Sequence, residues 1–201
     1  MKKIASCIST VFSPLLVPTY SYATALWITP LAVLPERVRL ISSLMIFLIT
    51  ATIPMATILM LMRTGRIGDY AITDRRQRTV PMIVAILCYV GASFYLRFVH
   101  APGFLIHFFI GAAAAAVLAL GINFRWKISA HMTAIGGYCA LLIWIAVHAL
   151  GIVMMMPWIT GAVIIAGCVG SSRLYLLRHT PAQVYAGFCL GAVCAFLFMS
   201  L

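Results

Sequence analysis

Apolar residues run through this chain in long blocks, and short polar segments between them hold nearly all of its charge. The blocks show neither the strict alternation of a half-buried strand nor the broad polar face of a soluble helix. A helix needs about 20 mostly apolar residues to cross the hydrocarbon of a bilayer. On that criterion there are seven candidate spans, at roughly 10–33, 39–62, 80–99, 103–122, 129–150, 153–173 and 181–201. Pro14 and Pro18, near the start of the first, predict a kinked or re-entrant segment there. The expected fold is therefore all-α, one polytopic transmembrane bundle of six to seven helices over residues 1–201. An outer-membrane barrel is disfavoured, because its strands would alternate apolar and polar positions over short lengths.

Composition agrees. Hydrophobic residues make up 64% of the chain and charged residues 8%, with a mean hydropathy of +1.11. That leaves too few polar side chains to build the shell of a soluble domain this long. Met1-Lys2-Lys3 is basic, but no small-residue cleavage pattern follows, so the first apolar block reads as retained rather than cleaved.

Charge then narrows the function. There are 14 Lys and Arg against 3 Asp and Glu, a net charge of +11. If seven segments cross, Arg37, Arg39 and Arg97 fall on one side and all other Lys and Arg on the opposite side. The positive-inside rule would make that richer side cytoplasmic, although arginines kept to bind phosphate produce the same bias. Parity alone puts residues 63–78, 123–131 and 173–180 on one membrane face. The basic residues sit in short loops between apolar blocks, which argues against nucleic acid and for anionic headgroups or a phosphorylated substrate. The acids Glu36, Asp69 and Asp74 form no acidic metal motif, which disfavours a metal-dependent transferase. Cysteines 7, 88, 139, 168, 189 and 194 show no ligand spacing and read as small hydrophobes.

The most informative polar segment is Ser171 to Gln183, SSRLYLLRHTPAQ. Thr180 reads as a helix N-cap, Pro181 as the first helical position and Gln183 as the third. His179 then lies just outside a helix start, where free N–H groups and the helix dipole favour an anion, with Arg173 arriving from the preceding span. Ser129 and His131 form a second such element, with Ser129 as N-cap. In DRRQRTVP, Arg75 and Arg76 read as a basic loop touching lipid headgroups. Arg78, nearest the next span, is the one placed to reach a phosphate with its planar fork. Lys127 reads as a further phosphate ligand and Arg125 as an orientation anchor. His100, His107 and His148 read as structural, Gly187-x3-Gly191 as helix packing, and Trp27, Trp126 and Trp158 as interfacial anchors.

These residues resemble the motifs of the type 2 phosphatidic acid phosphatase (PAP2) superfamily of integral membrane phosphatases. The family pattern is K-x6-R-P, P-S-G-H and S-R-x5-H-x3-D. Ser172-Arg173-x5-His179-x3-Gln183 keeps the third spacing, with Gln183 in the aspartate position. Ile128-Ser129-Ala130-His131 matches the second at its serine and histidine. In the first, Arg78 is kept, Pro81 comes late and Ala71 holds the lysine position. The resemblance implies that His179 attacks phosphorus to form a phosphohistidine and that His131 protonates the leaving alkoxide. It further implies that Arg173, Ser129 and Arg78 hold phosphate oxygens. No metal or cofactor is implied, and the substrate would be a lipid or isoprenoid phosphate in a bacterial inner membrane. Gln183 can accept a ring N–H bond but supplies no full charge. Two alternatives stay open: a weak or inactive relative that binds anionic lipid or assists envelope assembly, and a transporter.

Overall fold

The computed structural model describes residues 1–68, 72 and 74–201, and every element among them is helical. Asp69 and Ala71 lie outside the described residues. The chain forms α1 (Lys2–Val11), α2 (Val17–Ile28), α3 (Glu36–Arg63), α4 (Arg75–Phe98), α5 (Gly103–Asn123), α6 (Ala130–Leu150), α7 (Ile152–Tyr175) and α8 (Pro181–Met199). The last six are each long and apolar enough to span a bilayer, which makes this an integral membrane protein.

The expected first span is corrected. In place of one helix over 10–33, the chain folds α1, a turn around Pro14, the twelve-residue α2 and a 3₁₀ turn at Pro30–Val33. At 1.5 Å per residue α2 covers only about 18 Å. It packs antiparallel on α3, where Tyr22 bonds Ser42 and the Thr19 and Thr50 hydroxyls lie 3.5 Å apart. Arg39 of α3 stacks over Trp27 at 4.8 Å, at the far end of α2. Prolines at the helix starts account for the breaks, since each lacks an N–H and fixes φ.

Two other irregularities have local causes. Pro54 interrupts the hydrogen-bond ladder of α3, and the helix absorbs the defect as a π turn at Leu48–Thr52. A single residue, Gly151, joins α6 to α7 at φ 84°, a conformation that costs glycine least.

The core is built around α6, the most buried of the six spans. Leu105 and Phe109 of α5, Ile135, Leu141, Leu142 and Ile145 of α6, and Val169 of α7 are fully buried. The α6–α8 contact is closest, and glycines make it so. A Cβ on Gly191 would stand 1.8 Å from the Thr133 carbonyl oxygen, and one on Gly136 2.1 Å from that of Phe188. A Cβ on Gly187 would meet the Ser129 carbonyl at 2.6 Å, so the Gly187-x3-Gly191 spacing serves packing within the chain. This crossing sets the start of α6, with His131, against the start of α8, beside His179.

Candidate functional site

The turn between α7 and α8 is a local construction. The Arg178 N–H bonds the Arg173 carbonyl at 3.1 Å and the Leu177 N–H bonds the Leu174 carbonyl at 2.9 Å, a Schellman pair that closes α7. Leu177 takes the left-handed position, φ 54°, that glycine usually fills. Three residues later Thr180 opens α8 with a full capping box: its hydroxyl accepts from the Gln183 N–H, and Gln183 Oε1 accepts from the Thr180 N–H at 3.2 Å. His179 is held between helix end and helix start.

His179 is 8% exposed. Its Nδ1 lies 3.1 Å from Gln183 Oε1 and 3.3 Å from the Lys127 carbonyl oxygen. Both neighbours only accept, so Nδ1 carries the proton and donates it. Gln183 presents oxygen rather than nitrogen here because the same atom receives the Thr180 N–H. The tautomer follows: Nε2 keeps its lone pair, as a nucleophile requires. Burial pushes the imidazole down to about 4, and the charges of Arg78, Arg173 and Lys127 add to the shift against a smaller opposing effect of the Gln183 bond. His179 is therefore neutral at pH 7.

Arg173, in the last turn of α7, is 5% exposed. Its Nη1 donates to Ser9 Oγ at 2.7 Å, and its Nε is buried with no partner among the described residues. His131, the second residue of α6, points its Nε2 at the Ser9 carbonyl oxygen, 2.9 Å away, with Ser9 Oγ at 3.3 Å. A carbonyl only accepts, so this nitrogen carries the proton.

Arg78, His131, Arg173 and His179 line one cavity of about 440 Å³, together with Arg178 and Lys2. Away from this polar mouth the walls are apolar and made largely of small residues: Ala85 and Tyr89 of α4, Phe108, Ala112 and Ala116 of α5, Ala134 and Gly137 of α6, Gly191 and Ala195 of α8. From Arg78 to Tyr89 the α4 wall runs roughly 16 Å at 1.5 Å per residue, about half the thickness of a bilayer's hydrocarbon.

The sequence-predicted residues thus divide. His131, Arg173, His179 and Arg78 meet at the cavity, and Gln183 holds His179 from behind. Of the three loop arginines only Arg78 lines the cavity; its Nε donates to the Ile72 carbonyl at 2.9 Å, while Arg75 donates to the Arg125 carbonyl at 2.6 Å. Lys127 touches His179 through its carbonyl, and its side chain is not on the cavity wall. Ser129 stands off the cavity too. It is fully buried at the α6–α8 contact, its N–H 3.4 Å from the Gln183 carbonyl, and its hydroxyl has no partner among the described residues. The expected side-chain cap on α6 does not form. His100, His107 and His148 lie away from the cavity; His148 stacks on Trp144 at 4.6 Å.

Sequence reasoning missed Ser9. The first candidate span began only at residue 10, yet Lys2, Ser6, Ser9 and Ser13 recur at intervals of three to four, the polar stripe of an amphipathic helix. The alanine run of α5, whose short side chains leave the chamber open, was also legible. No protein-family model, no curated protein and no solved structure matches this chain.

Proposed function

We propose that this chain is an integral membrane phosphatase that hydrolyses a lipid or isoprenoid phosphate or diphosphate, in a bacterial inner membrane, through a phosphohistidine on His179. One observation carries the reading: two arginines and two histidines, of which Arg173 and His179 are buried, line one part of a cavity whose other walls are largely apolar and run into the bundle. An amphiphile with an anionic head and an apolar tail is the ligand that satisfies both parts. The buried Arg173 Nε, which has no partner among the described residues, favours an anion, since a group left so costs about 1–3 kcal/mol.

The reaction follows from the tautomers. The Nε2 lone pair of His179 attacks phosphorus as the bond to the leaving alkoxide breaks. That alkoxide takes the Nε2 proton of His131 in its imidazolium form, which the negative charge of the bound phosphate favours, leaving His131 neutral. Arg173 and Arg78 hold the phosphoryl oxygens and offset their growing charge. Water then attacks the phosphohistidine, returns a proton to His131 and releases inorganic phosphate. Gln183 keeps Nδ1–H in place but adds no negative charge to steady the imidazolium that forms, so turnover is slow for such a site.

Purified protein in detergent with chelator is expected to release phosphate from phosphatidate, phosphatidylglycerophosphate or polyprenyl diphosphate. His179→Ala and His131→Ala should each lower the rate about 10³-fold. Unchanged rates in these variants would sink the mechanism. Binding of these lipids that survives His179→Ala and is lost in Arg173→Ala, with no turnover, would instead favour a lipid-binding protein.

A further inference from the structure

We propose that Ser9 occupies the phosphate position of the resting site, so that α1 is a displaceable plug which an incoming phosphate must expel. This rests on the anion-binding reading of the cavity. Ser9 presents two oxygens, its hydroxyl to Arg173 Nη1 at 2.7 Å and its carbonyl to His131 Nε2 at 2.9 Å. Those are the two groups that a phosphoryl oxygen and a leaving oxygen would engage. The pair is supplied from 164 and 122 residues away along the chain, so it is a tertiary arrangement rather than a local turn.

The carbonyl decides between plug and ligand. A serine hydroxyl can donate to phosphate, and on that count Ser9 would be an additional phosphate ligand. A carbonyl oxygen cannot donate, and it would repel a phosphoryl oxygen placed beside it. While it accepts the His131 proton, that proton is not available to a leaving group. His131 comes into play only when the Ser9 backbone withdraws.

α1 is suited to such movement. Its polar face, Lys2, Ser6, Ser9 and Thr10, lies on the cavity, and Ala5 and Ile8 rest on α7 in a shallow groove with Gly167 and Cys168. Most of the helix is exposed, with only Ala5 and Ser9 buried. It is joined to α2 through the short turn around Pro14 rather than through a continuous helix. Few apolar contacts hold it down, which is the mark of an element that opens at low cost.

The test uses the full chain with its exposed cysteines, Cys7, Cys168 and Cys189, replaced by alanine. Ala5→Cys then places a thiol on the buried face of α1 without touching Ser9. Maleimide labelling of this thiol should be slow in phosphate-free buffer and several-fold faster with inorganic phosphate. Ser9→Ala in the same background should raise labelling without phosphate and tighten phosphate binding by calorimetry about threefold to tenfold, because Arg173 loses its internal competitor. Phosphate that slows labelling, or a Ser9→Ala variant that binds phosphate more weakly, would make Ser9 a ligand under a closing helix and overturn the plug. Phosphate that binds the unsubstituted protein but leaves labelling unchanged would overturn the plug and leave the anion site standing. Failure of the unsubstituted protein to bind phosphate at all would remove both.

Discussion

The two histidines of the cavity are held in opposite ways. His179 is placed mainly by its immediate neighbours, the Schellman turn before it, the capping box after it and Gln183 four residues on, with the Lys127 carbonyl as a more distant support. His131 sits at a helix start with no side-chain cap, and its ring is held by Ser9, on a different element near the other end of the chain. A locally built residue keeps its orientation while distant parts move. One held by a remote helix can be switched by moving that helix. The proposed nucleophile is thus rigid and the proposed proton donor conditional, a useful division if chemistry must wait until substrate has entered.

The harshest way to break the comparison is to separate α6 from α8. Gly191→Ala puts a methyl group 1.8 Å from the Thr133 carbonyl, where backbone rather than a flexible side chain must yield. We expect a loss at or above the upper end of the ~1–3 kcal/mol range for overpacking, read as a lower unfolding temperature in detergent. Any phosphate release should fall with it. Retained stability would mean that the crossing is looser than the geometry indicates.

A smaller effect sharpens the local half. Gln183→Asp places a carboxylate where the amide oxygen accepts the Nδ1 proton, and it should raise phosphate release about tenfold, or 1.4 kcal/mol in barrier. It should also move the titration of His179. In the unsubstituted protein neutral His179 is maintained down to about pH 4, so carbethoxylation of its ring should fall off only near that value. With aspartate the midpoint should rise toward the ordinary histidine range. Stability carries the same sign. His179 binds its proton less readily when folded than when unfolded, so its contribution is complete above about pH 6.5 and is lost as pH falls toward 4. A midpoint that stays near 4 in Gln183→Asp would show that the two side chains are not coupled.

The mildest change tests whether the turn itself is strained. Leu177 is 91% exposed and holds φ 54°. Leu177→Gly should relieve about 1 kcal/mol, with little effect on phosphate release. A large loss of activity from this variant would mean that Leu177 does more than turn the chain.

Much of this was legible in the residues. Six apolar blocks fold as spanning helices because any long apolar helix of that length must be covered by lipid or protein. Thr180, Pro181 and Gln183 announced the start of α8, since capping chemistry operates within four residues. The Ser-Arg and histidine spacing drew attention to Arg173 and His179 for the same local reason. The first block was legible in part: Pro14 and Pro18 marked it as kinked or re-entrant, but hydropathy did not report that it folds as two short helices beginning at Lys2. Ser129 was legible in part too. It is the N-cap residue of α6, as its place before the helix indicated, but the close approach of α8 leaves its hydroxyl buried and away from the cavity.

The sequence by itself determined the class of molecule, the shared membrane face of its polar segments and the local geometry around His179. These depend on composition, parity and short-range hydrogen bonds. Only the tertiary structure decided which cations face one cavity, that the cavity has apolar walls reaching into the bundle, and that Ser9 lies between Arg173 and His131. Those facts depend on glycines that let two helices touch and on contacts between residues more than a hundred positions apart, and no local pattern encodes such meetings.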